Sequence, residues 1–122
     1  MNHGTKEKHT ISVAENIGPL TSFHDYVIEA TKDHLTKCFG IQPVELNNEK
    51  VKYQWEFKLD NRWGFTVYDW KNYNSEHGKI KWHIGWKDES FTDDVLNVDY
   101  LIEALKDIGL EVKKESFGKL NY

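Results

Sequence analysis

The run Val51-Lys52-Tyr53-Gln54-Trp55-Glu56-Phe57-Lys58-Leu59-Asp60-Asn61-Arg62-Trp63-Gly64-Phe65-Thr66-Val67 decides the fold. Val51, Tyr53, Trp55, Phe57 and Leu59 alternate with Lys52, Gln54, Glu56, Lys58 and Asp60. Successive side chains of a strand point to opposite faces, so this pattern predicts a strand with an apolar odd face and a polar even face. Trp63, Phe65 and Val67 keep to the odd positions. A loop of Asp60-Asn61-Arg62 preserves parity, placing Leu59 opposite Trp63 and Phe57 opposite Phe65, and the two runs read as a β-hairpin.

Working outward, the polar stretch 71–78 leads to a third alternation, in which Ile80, Trp82, Ile84 and Trp86 are separated by Lys81, His83 and Gly85. Downstream, Val95, Val98, Leu101, Ile102, Leu105 and Ile108 keep helical spacing until Gly109. Leu110-Glu111-Val112 then has the composition of a short edge strand. Upstream, Phe23, Val27, Ala30, His34 and Cys38 fall on one helical stripe, Ser22 with Asp25 resembles a capping box, and Gly40 supplies a stop. This predicts a first helix over residues 22–38. The expected fold is α+β, a three- to four-stranded antiparallel sheet with two helices packed on its apolar face. Residues 1–18 are expected to be a partly disordered N-terminal tail, because Lys6, Glu7, Lys8 and His9 offer nothing apolar to dock and Gly18-Pro19 breaks the short run Thr10–Val13. Residues 19–122 form the single domain.

The length of 122 residues allows one core, and five Trp, six Tyr and six Phe supply the bulk to fill it. No apolar stretch approaches the roughly 20 residues of a membrane-spanning helix, and the first residues lack the apolar centre of a signal peptide. Cys38 is the only cysteine, which excludes an intramolecular disulfide and fits a reducing compartment, so a cytoplasmic location is expected. A net charge of −4 without clustered Lys or Arg argues against nucleic acid as the partner. Helix, strands, helix is also the order of double-stranded-RNA-binding domains, but Asp93, Asp94 and Asp99 stand where those domains carry lysines.

No nucleophile elbow, phosphate-cradling loop, dinucleotide fingerprint or Cys-His pairing appears, and the six histidines lack metal-ligand spacing. No cofactor or metal is expected. The even face of the sheet remains. It carries Gln54, Glu56, Thr66, Tyr68, Trp70, Lys81 and His83, a mixture of aromatic, amide and charged groups suited to recognition, and these are the candidate binding residues. Asp69, by parity, lies on the core side, where a carboxylate needs donors. Its structural reading is a hydrogen-bond anchor. Its functional reading is a site carboxylate in a small hydrolase or transferase with His77 and His83, and a Glu56–His83 pair is a further acid–base arrangement the even face allows.

The blocks Tyr68-Asp69-Trp70-Lys71 and Trp82-His83-Ile84-Gly85 resemble paired blocks in small proteins of phages and large DNA viruses, in which Gly-Gly often stands where this chain has Gly85-Trp86. The resemblance spans about 20 residues and implies no activity. With it, the expected function is non-enzymatic binding, as a phage or viral accessory factor that engages a host protein or sequesters a small ligand in the host cytoplasm. A bacterial immunity-type inhibitor, with an acidic surface matched to a basic active site, is the alternative among binding proteins, and self-association is a further use of the same face.

Overall fold

Leu59 faces Trp63, Phe57 faces Phe65 and Trp55 faces Val67 across the hairpin that the alternation predicts. Asp60 and Asn61 both take left-handed backbone at φ 54, which Asp and Asn tolerate better than other residues with side chains, and the Arg62 amide closes the turn on the Leu59 carbonyl at 3.0 Å. The computed structural model describes residues 8–14, 22–46, 49–71, 77–87 and 95–115. In chain order these form β1 (Ile11–Val13), β2 (Ser22–Ala30), α1 (Lys32–Phe39), β3 (Val44–Glu45), β4 (Val51–Leu59), β5 (Trp63–Trp70), β6 (Ile80–Trp86), α2 (Val98–Asp107) and β7 (Val112–Lys114). The strands make one seven-stranded antiparallel sheet in the order β1-β4-β5-β6-β2-β7, with β3 beside β4. β1 and β3 share the outer edge of β4, at Phe57 to Leu59 and at Tyr53 to Gln54 respectively.

The sheet therefore has more strands than the alternation alone predicts, and the largest correction falls on residues 22–38. No helix spans them. Ser22–Ala30 is a strand inserted between β6 and β7, and only Lys32–Phe39 is helical. Thr31 caps that helix, its Oγ1 accepting from the His34 amide at 3.1 Å, and Gly40 ends it at φ 75. Val27 and Ile28 are consecutive yet 0% and 1% exposed, so the strand is buried on both faces and does not alternate. A bulge between Phe23 and Val27 disrupts the period further, with Asp25 at φ 66. The spacing of Phe23, Val27 and Ala30 thus mimics a helical stripe, whereas Phe, Tyr, Val and Ile within nine residues carry the β-propensity that prevails.

Both helices lie on the odd face. Leu35 of α1 and Leu101, Ala104 and Leu105 of α2 join Trp55, Phe57, Phe65, Val67, Trp82 and Ile84 in one core cluster. The buried indoles are satisfied there, Trp55 Nε1 donating to the Ile41 carbonyl at 2.9 Å and Trp82 Nε1 to the Ala30 carbonyl at 3.0 Å. Asn97 caps α2 by accepting the Asp99 and Tyr100 amides. Cys38, which the helical stripe places toward the core, is only partly buried, with Sγ 3.7 Å from His34 Nε2. No described helix is long and apolar enough to cross a membrane.

The expected 1–18 tail is described at residues 8–14, while 1–7 and 15–18 lie outside the described residues. Its middle docks through polar and aromatic contacts. His9 stacks on Tyr100 with centroids 3.9 Å apart, its Nδ1 lies 2.8 Å from Asp60 Oδ2, and its Nε2 faces Glu103 at 3.9 Å. The Thr10 amide donates to the other Asp60 oxygen at 2.9 Å. Burial works to raise the Asp60 carboxyl, but the Thr10 amide and His9 outweigh it and hold the group below its ordinary value.

Candidate functional site

Register assembles the sequence-predicted face into rows. Gln54 stands opposite Tyr68, Tyr68 opposite His83 and His83 opposite Val27, so one row crosses β4, β5, β6 and β2. The next row runs from Glu56 through Thr66 and Gly85 to Phe23. Directly opposed residues of an antiparallel pair share a face. Gln54, Glu56, Thr66, Tyr68, His83 and, by alternation from His83, Lys81 therefore project from the side of the sheet opposite the helices.

The centre of this face is not solvent-exposed as expected. Thr66 is 1% and His83 6% exposed, and Val27 beside them is buried, whereas Gln54, Glu56, Tyr68, Trp70 and Lys81 remain partly accessible around them. His83 is the hub of an aromatic cluster. Its ring stacks on Phe23 at 4.2 Å, meets Tyr68 edge-on at 5.5 Å and lies near-parallel to Trp70 at 6.5 Å. Tyr68 and Trp70 meet edge-on at 6.4 Å. Burial pushes the imidazole down to about 4, so at neutral pH the cluster is uncharged. Cations gather at its rim, with Lys50 and Lys71 approaching the Trp70 ring at 5.7 and 5.5 Å. Lys71 reaches that position from left-handed backbone at φ 50, anchored by its amide to the Lys50 carbonyl.

The remaining predicted residues divide. Lys81 is bound by Glu115 in an ion pair whose hydrogen bond raises the ammonium pKa, so its charge is already matched. Asp69 is 1% exposed and lies on the core side of the sheet. Its Oδ1 accepts the amides of Lys52 and Tyr53 at 2.9 and 2.8 Å, where the β4–β5 register slips between Val51 and Gln54. The carboxylate thus satisfies two backbone donors that a bulge removes from the ladder. Among the described residues its buried Oδ2 has no hydrogen-bond partner.

These positions separate the residues of the hydrolase reading. Asp69 and His83 emerge on opposite faces, and His77 is an exposed loop residue before β6. Glu56 and His83 share a face but lie two strands apart in adjacent rows, about 12 Å at the usual strand spacing and rise. Among the described residues no three of His, Cys, Asp or Glu come together as metal ligands would. Phe23 and Val27 belong to the cluster but are missing from the sequence-predicted site residues, because a helix over 22–38 assigns them to its apolar stripe. The signal that would have found them is the consecutive pair Val27-Ile28 in an aromatic-rich run. No protein-family model, curated protein or solved structure matches the chain.

Proposed function

We propose that the chain is a non-enzymatic binding protein, an accessory factor of a phage or DNA virus, that engages a host protein through the rim of the aromatic face. The observation that carries this reading is the pairing of two partly exposed aromatics, Tyr68 and Trp70, against the buried neutral ring of His83. Aromatic side chains held rigid before contact lose little entropy on binding, which is what hot-spot anchors require. Gln54 and Glu56 border them with hydrogen-bonding groups, and Lys50 and Lys71 add charge beside Trp70. The viral assignment rests on the Tyr68–Lys71 and Trp82–Gly85 blocks. Those blocks supply Tyr68, Trp70, Lys71, His83 and Gly85 to the face, so the resemblance and the cluster coincide in space.

Affinity capture from a host lysate, with mass spectrometry, tests this when the wild-type chain is compared with a Tyr68→Ala/Trp70→Ala variant. The variant should keep its fold and lose the captured protein, with affinity falling by about 2 kcal/mol, roughly thirtyfold, per anchor. An unchanged capture profile from the folded variant would refute the assignment of the face. A small molecule released from the wild-type chain alone would redirect the reading to ligand sequestration.

A further inference from the structure

Among the described residues β7 pairs only with β2, so its other side is an edge of the sheet. The Glu115 amide donates to the Asp25 carbonyl, and antiparallel residues alternate between bonding to the neighbouring strand and facing away from it. Lys113, opposite Val27, therefore turns its backbone groups toward β2, while Val112 and Lys114 turn theirs outward. Beside this edge lies a groove of about 390 Å³ lined by Ile102, Lys106, Gly109, Leu110, Glu111 and Val112. Val112 stands opposite the core residue Ile28, and the Lys114 ammonium lies 5.8 Å from the Tyr26 ring centroid, so both side chains are on the α2 side of the sheet. Outward amides and carbonyls and an adjoining groove are thus presented together.

We infer that β7 and this groove take an extended, acidic segment of another protein as an added strand. An apolar side chain of that segment enters the groove, and a carboxylate lies beside Lys106 or Lys114. Strand addition at an edge draws affinity from main-chain hydrogen bonds and specificity from alternate side chains in a groove. The charges select the occupant. Lys113 is already matched by Glu29 at 3.5 Å and Glu111 at 4.0 Å, but among the described residues neither Lys106 nor Lys114 has a carboxylate within ion-pair distance. Glu111, in the lining of the groove and 4.0 Å from Lys113, and Asp107, exposed at the end of α2, are the acids that a partner's carboxylate must avoid. A second copy pairing β7 antiparallel with β7 would set either Lys113 against Lys113 or Lys114 against Lys114, according to register, and like charges directly opposite are unfavourable.

The test is an amide chemical-shift titration of the full chain with two synthetic probes, alternating Glu-Val and alternating Lys-Val hexapeptides. The acidic probe should move Val112, Lys114, Ile102 and Lys106 saturably, and the basic probe should bind at least about tenfold more weakly. Lys114→Pro removes an outward amide, which an edge strand tolerates, so it should melt with the wild type and bind the acidic probe at least about tenfold more weakly. Lys106→Glu provides a second variant with the backbone intact and should weaken acidic binding similarly. No saturable shift at millimolar acidic probe, equal affinity for both probes, or wild-type binding by both variants would overturn the inference. A lowered melting temperature for Lys114→Pro would show the amide to be used within the sheet and overturn its geometry. A concentration-dependent dimer abolished by Lys114→Pro would make a second copy the occupant instead.

Discussion

Acidification should destabilise the protein through His83, and the size of the effect follows from its burial. In the unfolded chain the imidazole titrates near its ordinary 6.5, whereas in the folded chain burial holds it at about 4. Between those values the unfolded chain binds a proton that the folded chain does not, so stability falls as pH falls through the window. At about 1.4 kcal/mol for each tenfold change in proton affinity, the full difference is on the order of 3 kcal/mol. About 2 kcal/mol of it should appear between pH 7 and pH 4.5. Urea titrations of the wild type and of His83→Gln at both pH values isolate the contribution, because Gln fills the site without titrating. The wild type should lose about 2 kcal/mol more than the variant, and the His83 ring resonances should not titrate above about pH 5. Asp60 acts in the same direction but lower, since its depressed carboxyl contributes stability that is lost only as pH falls below the ordinary carboxylate range. Equal pH dependence in wild type and variant, or a ring that titrates near 6.5, would refute the picture of a buried neutral hub.

Three further outcomes follow from the packing. Asp69→Ala should destabilise by roughly 3 kcal/mol in denaturant titration, because it strands the part-buried bulge amide of Lys52 and the buried one of Tyr53. Trp55→Ala and Phe65→Ala should each lose about 3 to 5 kcal/mol, the range for truncating a buried aromatic, and a loss under about 1 kcal/mol would mean that the odd face is not the core. His9→Ala should lower stability by about 1 to 2 kcal/mol at neutral pH by removing the Tyr100 stack and the Asp60 contact, and protection of the β1 amides from hydrogen exchange should fall with it.

Strands whose chemistry is one-sided are legible in the residues alone. From Tyr53 to Val67 and from Ile80 to Trp86 one face meets the helices, so apolar and polar residues alternate, and register, turn and core can be read from parity; Val51, expected on the same face, is carried by the bulge opposite Trp70 instead. Helix α2 was legible for the same reason, since its apolar stripe ends at Gly109. Elements that are buried on both faces, or whose partners are distant in the chain, emerge only from the assembled fold. Val27 and Ile28 are buried on opposite sides of β2, which erases alternation and leaves a spacing that a helix would fit equally well. β1 and β3 are too short for any period, and each owes its existence to the outer edge of β4. The candidate face was legible as a set of residues through parity, but its closed centre was not. Phe23 lies on the imidazole of the buried His83 because β2, some 55 residues before β6, pairs beside it. Asp69 could be placed on the core side from alternation, yet its partners are backbone amides at a bulge, and a bulge is a property of two paired strands that neither strand's sequence specifies alone.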